Sequence, residues 1–327
     1  MFLIFMRVID SFKLVSFRQT VVAIVVGAFS ALITIFANYN LIVWLGMESS
    51  IYSRFVAPIS EEFFKILFVV YLIQSKKVGF AVDATIFGFA VGTGFAIIEN
   101  IYYLNALSNA GLLTWFVRGF GTAVMHGGTT AIAAILIKDI SDRKEWPDLF
   151  TYLPGFLAAV FIHGLFNQFL LPPVTVTLLI LIILPPLLYF IFKKSEKNTR
   201  VWLGTGLDSD MEMLRLLMAG NISESRIGTY LKSIENKFSA EIVGDIICYL
   251  RVYLELSVKA KGILIMKEND FDLPPDPEIK AQFEELKYLE ENIGKTGKLA
   301  IQPLLKLNNA DLWQLYMLQQ DQKKPVN

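Results

Sequence analysis

Six stretches of the chain stay apolar for long enough to cross a bilayer: about Thr20–Val43, Ala57–Gln74, Ala81–Leu104, Thr114–Ile137, Phe150–Leu171 and Val174–Phe192. Beyond residue 192 the pattern changes. Apolar positions recur at helical spacing among charges in "SAEIVGDIICYLRVYLELSVKAKGILIM" and in "PEIKAQFEELKYLEENI", which has Pro277 near its start. "NNADLWQLYMLQQ" reads as a short capped helix and "DLPPDP" as a loop. The pattern predicts an all-α protein: a polytopic membrane helix bundle of about six transmembrane helices over residues 1–192, then a helical soluble region over 193–327, read as cytoplasmic. The opening "MFLIFMRVIDSFKLVSF" is interrupted by Arg7, Asp10 and Lys13 and lacks a small-residue cleavage site, so it reads as an interfacial amphipathic helix, not a signal peptide.

Composition sharpens this division. The 327 residues are 54% hydrophobic and 18% charged, with mean hydropathy +0.50, more apolar than an ordinary soluble protein. Lysine plus arginine (30) balances aspartate plus glutamate (30), but residues 1–192 hold 21 of these 60 charges and residues 193–327 the other 39, so the two parts expect different solvents. The basic residues sort by side. Arg7, Lys13, Arg18, Lys76, Lys77, Lys138, Arg143, Lys144, Lys193, Lys194, Lys197 and Arg200 fall on one, against Arg54 and, at the margin, Arg118 on the other. The excess of lysine and arginine on cytoplasmic loops then puts both termini in the cytoplasm. The single cysteine, Cys248, has no intrachain partner, which suits a reducing compartment.

Some features carry no chemistry. Gly88 and Gly92 in "FGFAVGTGFA" form a small-xxx-small pattern for close helix packing, and Pro185–Pro186 should bend or break the last span. "IGKTGKLA" lacks the glycine spacing and the preceding strand of a phosphate loop.

Polar residues inside the apolar spans are more informative, because a charge at mid-bilayer costs about 2.5–3.5 kcal/mol on insertion scales. Glu61, Glu62 and Lys65 lie in the second span, Glu99 and Asn100 in the third, His126 in the fourth, and His163 and Asn167 in the fifth. With a rise of about 1.5 Å per residue, Glu61, Glu99, His163 and Asn167 fall roughly 5–12 Å below the extracytoplasmic surface and His126 near mid-depth. Singly, each suits an interhelical hydrogen bond or a snorkelling end. Together they bring four helices to one level. His163 and Asn167, four apart, share a face, as do Glu61 and Lys65, whereas Glu61 and Glu62 diverge by about 100°. One glutamate can face a site while the other buttresses it.

The set EExxK (Glu61–Lys65), FxxxEN (Phe95–Asn100), isolated His126 and HxxxN (His163–Asn167), in that order on successive spans, resembles the PrsW-type intramembrane proteases, relatives of the CAAX-protease and bacteriocin-processing glutamic membrane endopeptidases. Where the wider CAAX group has histidine in the second motif, this chain has Glu99, as PrsW-type members do. The resemblance covers roughly residues 20–192. It implies an intramembrane hydrolase cutting a membrane-anchored protein, with anti-sigma factors among the substrates of relatives. The lipid bilayer is the other expected partner, and nucleic acid is not one.

Peptide hydrolysis needs a base for water, donors for the oxyanion and an acid for the leaving amine. By resemblance, Glu61 is the base with Glu62 and Lys65 supporting it, His163 and Asn167 are oxyanion donors, and Glu99 and His126 position water or shuttle protons, with Asn100 in a supporting role. A serine or cysteine nucleophile is disfavoured, since Cys248 lies outside the spans and no serine adjoins either histidine in sequence. The favoured expectation is a glutamic type without cofactor. The alternatives are a zinc-type metalloprotease using Glu61, Glu99, His126 and His163, and a proton-coupled transporter or membrane scaffold.

Overall fold

The structure is a computed structural model that describes residues 1–106, 111–144, 147–219, 226–269, 271, 274, 276–305 and 309–321. The described residues contain helices and no strands. Two compact units divide at Glu196/Lys197.

The first unit begins with α1 (Phe2–Ile9), which buries Phe2 and Met6 and leaves Ile4 and Val8 exposed, the amphipathic pattern expected. Then come α2 (Phe17–Leu45), a short α3 (Ser49–Phe55), α4 (Ala57–Gln74) and α5 (Ala81–Ala106). A one-turn α6 (Leu112–Phe116) runs into a π-helix (Val117–Thr122), which leads into α7 (Ala123–Asp142). Next are α8 (Leu149–Asn167) and α9 (Pro173–Met218). Local chemistry sets the boundaries. Ser16 and Gln19 form a reciprocal capping box at the head of α2, Gly46 closes it in the left-handed conformation, and Asp148 with Thr151 caps α8.

Among the described residues, five helices are long and apolar enough to cross a membrane; α4 has the length but carries Glu61, Glu62 and Lys65. α5 lies at the centre, packed on α2 and α7, and its small residues set the spacing. A Cβ on Gly27 would stand 2.0 Å from the Val91 carbonyl oxygen, and one on Gly92 would stand 2.2 Å from that of His126. Gly88 likewise meets the α7 backbone at Thr130. The two glycines read as packing positions do have that role. α2, α8 and α9 turn large apolar side chains outward, among them Phe29, Phe36, Phe161, Ile182 and Phe190, as helices bathed in lipid do.

The expected break at Pro185–Pro186 does not occur: α9 runs helically through both. Each proline removes one backbone donor, yet the helical turns on both sides carry α9 through as one helix. The same helix continues to Met218, so the change from apolar to charged sequence near residue 192 is not a helix end.

The second unit contains the end of α9 with α10 (Arg226–Glu235), α11 (Ala240–Glu268), α12 (Pro277–Leu305) and α13 (Asn309–Asp321). The last three match the helices read from sequence. The "IGKTGKLA" stretch lies within α12, kinked at Gly294 (φ 63°), and the "DLPPDP" loop falls partly outside the described residues.

Candidate active site

The α3–α4 junction sets the first functional residues. Pro58 suits the first turn of α4, where no backbone donor is needed, and the helix then carries Glu61 and Glu62 a turn deeper. Their 100° divergence sends them to different surroundings. Glu61 faces a cavity of about 1080 Å³; Glu62 is fully buried behind it. Lys65, also fully buried, pairs with Glu62 (Nζ to Oε1, 2.5 Å). The sequence placed Lys65 on the face of Glu61; the i, i+3 partner won, because a buried Glu62 has no water to solvate it.

Two histidines join this pair to the cavity. Lys65 Nζ lies 2.9 Å from His126 Nδ1, and His126 Nε2 lies 2.8 Å from Glu99 Oε2. On the other side His163 Nδ1 lies 2.7 Å from Glu62 Oε1, and His163 Nε2 points toward Glu61 Oε2 at 3.7 Å. A chain of contacts therefore runs Glu99–His126–Lys65–Glu62–His163–Glu61 across α5, α7, α4 and α8. An ammonium has donors and no acceptor, so His126 accepts at Nδ1 and carries its proton on Nε2, donating to Glu99. The Glu62 carboxylate accepts from His163 Nδ1–H, which leaves Nε2 of a neutral His163 with a lone pair facing Glu61. The imidazoles stand edge to face, 4.9 Å between centroids. Phe95, of the FxxxEN motif, packs on both His126 and the Lys65 ammonium.

Glu61 Oε2 is buried and has no hydrogen-bond partner among the described residues. Asn167, the last residue of α8, lines the same cavity and donates to the Ser53 carbonyl (3.0 Å), so half of its amide is engaged by α3. Asn100 does not line the cavity. Its amide bonds Arg118 at both ends, Oδ1 accepting from Nε (3.1 Å) and Nδ2 donating to the Arg118 carbonyl (3.3 Å). The structure thus brings Glu61, Glu99, His126, His163 and Asn167 to one cavity, with Glu62 and Lys65 behind it. Arg118 lines it too and was read only as a charge at a turn. Its signal was there: a lone cation within an otherwise apolar stretch from 111 to 137.

Glu61, His126 and His163 each offer an atom within 4.8 Å of the others, two imidazoles and a carboxylate, which is the donor set of a catalytic zinc. Spacing and element types fit; lone pairs do not. Glu61 Oε2 and His163 Nε2 are open, but His126 has one nitrogen accepting from Lys65 and the other protonated toward Glu99. As arranged, the site offers two of the three ligands a catalytic zinc needs.

A helical bundle whose spans enclose paired carboxylates, two imidazoles and a carboxamide at one cavity is a candidate membrane-embedded acid–base site. Residues 16–191 match the family model described as "PrsW family intramembrane metalloprotease". That match covers more than half of the chain, which belongs to this family and is an integral membrane peptidase. No curated protein and no solved structure matches it.

Proposed function

We propose that the protein hydrolyses a peptide bond of a membrane-anchored protein by water activated at Glu61, without a metal ion. The observation that carries this reading is the unpartnered Glu61 Oε2 facing His163 Nε2 across 3.7 Å in the cavity. That gap is too wide for a direct hydrogen bond and suits a bridging water. Glu61 takes the proton as the water oxygen attacks the scissile carbonyl. Glu61 passes that proton to the open Nε2 of His163, and the resulting N–H, with the second N–H of Asn167, faces the developing oxyanion. The same proton then goes from His163, by way of Glu61, to the leaving amine, while His126, held between Lys65 and Glu99, keeps Glu99 in place. Glu62 and Lys65 hold the imidazoles in their orientations and do not touch substrate.

Glu61→Gln keeps shape and volume but cannot accept the proton. Cleavage of a single-span protein in liposomes is expected to fall about 10²–10⁴-fold, with expression and detergent elution as in the wild type. Undiminished turnover would remove Glu61 from the role. A zinc-assisted reading, favoured by the family description and by the spacing of Glu61, His126 and His163, requires His126 to leave Lys65. It would replace the metal-free one if purified protein held stoichiometric zinc and if chelation abolished an activity that zinc restored. The substrate class is a membrane-anchored protein cut close to the bilayer, an anti-sigma factor being one such candidate.

A further inference from the structure

Arg118 lies in the π-helix, a conformation often found at functional sites. Its guanidinium lies over the Tyr103 ring (3.9 Å to the centroid), and Nε donates to Asn100 Oδ1. Asn100 also takes up the Arg118 carbonyl, so one carboxamide fixes both the main chain and the side chain of this residue. Among the described residues the buried Nη2 has no hydrogen-bond partner, and the nearest anion, Glu99 Oε1, stands at 3.7 Å. Leaving a charged donor unsatisfied in this setting is costly unless something else completes it. Stacking and the Asn100 bond hold the guanidinium fork in place before any ligand arrives, and Arg118 lines the same cavity as Glu61 and Glu99.

A substrate helix must unwind to present its scissile bond, and each main-chain carbonyl so freed needs a donor that lipid cannot supply. We infer that Arg118 is a substrate-binding residue whose free guanidinium N–H groups donate to a main-chain carbonyl of the unwound segment beside the scissile bond. The inference rests on the reading of the cavity as the peptidase site. Glu99 lies between Arg118 and His126, so the bound carbonyl belongs to a neighbouring residue and not to the bond being cut. A main-chain acceptor also suits the charge already present. Glu99 balances the guanidinium, and a substrate carboxylate would meet Glu61 and Glu99 in the same cavity.

The probe is a quenched-fluorescent single-span peptide that the wild type cleaves in liposomes, made with a thioamide in place of each main-chain carbonyl for three positions either side of the cut. At one position the thioamide is expected to raise KM about tenfold for the wild type and to have no effect on Arg118→Met. On the unmodified peptide, Arg118→Met should raise KM about 10- to 100-fold and leave kcat within a few-fold. Arg118→Lys keeps the charge beside Glu99, which protects folding, and loses the planar fork, so it should show the same loss of thioamide sensitivity. Unchanged KM in Arg118→Lys, or arginine and thioamide effects that multiply independently at every position, would overturn the inference. So would coupling of Arg118 to a peptide Asp→Asn or Glu→Gln change instead. Glu61→Gln in the same assay separates the two readings: a dead Glu61→Gln with uncoupled Arg118 variants defeats this inference alone, and an active Glu61→Gln defeats the site.

Discussion

Lys65 has no route to water, and the residues around it depend on its charge. It ties Glu62 at 2.5 Å and His126 Nδ1 at 2.9 Å, with the Phe95 ring over it. Removing one partner of a buried ion pair leaves the other uncompensated, typically at about 3–5 kcal/mol, whereas removing both is often close to neutral. Lys65→Met is therefore expected to lower the unfolding midpoint in detergent sharply, and Glu62→Gln/Lys65→Met to recover most of the loss. A double variant no better than the single one would show that Lys65 does not compensate Glu62. Sequence alone made the divergence of the two glutamates legible, because a helix turns about 100° per residue. It could not assign the lysine, since i+3 and i+4 partners occupy the same face. Arg118 was overlooked for a related reason: its partners Asn100, Glu99 and Tyr103 come from another helix, and only the fold brings them together.

At the level of elements, the site depends on how closely α5 approaches α7. A Cβ on Gly92 would stand 2.2 Å from the His126 carbonyl oxygen and 2.7 Å from the Gly127 Cα, both main-chain atoms that cannot swing aside. Gly92→Ala should push the helices apart at His126, cost about 1–3 kcal/mol by overpacking, and lengthen the His126–Glu99 contact enough to depress turnover. Gly262→Ala in α11 meets open space and is expected to hold or slightly raise stability, since alanine is the better helix former. Thermal scans and turnover of the two variants side by side check this, and a fully active, equally stable Gly92→Ala would mean that α5 has slack. The long helices were legible because an apolar run announces a span whatever its neighbours. The short ones were not. α3 and α10 are too brief for a period to emerge, and the π-helix in "VRGFGT" reads as a glycine-rich turn. Gly121 there is explained by α9, as a Cβ would stand 2.2 Å from the Thr177 hydroxyl, a contact no local pattern encodes. At Pro185–Pro186 a strong local signal for a helix break was overridden by the continuous helix around it.

Across the whole membrane unit, the site lies toward one end. Glu61 follows the start of α4 by four residues, about 6 Å along the axis, and Gln74 closes the same helix about 20 Å away. At the Glu61 end, Asn167 donates to Ser53 and Gln168 reaches the Arg54 carbonyl. At the other end, Gln74 bonds the Tyr152 hydroxyl, with Lys76, Lys77, Lys138, Arg143 and Lys144 in the adjoining helix ends and turns. If the basic end is cytoplasmic, the cavity opens in the outer half of the bilayer, water enters from that side, and the substrate is cut near the extracytoplasmic boundary. Cys248 gives a direct reading of orientation, as it is the chain's single cysteine and is exposed in the second unit. A membrane-impermeant maleimide is expected to label it in inverted vesicles and to miss it in right-side-out ones. Mass spectrometry of the cleaved substrate's new termini should then place the cut within a few residues of the outer end of its span. Labelling from outside would invert the orientation and move the expected cut to the cytoplasmic boundary. An inward-facing Cys248 with a cytoplasmic cut would be the more serious result, because no orientation of this bundle then brings Glu61 to the scissile bond.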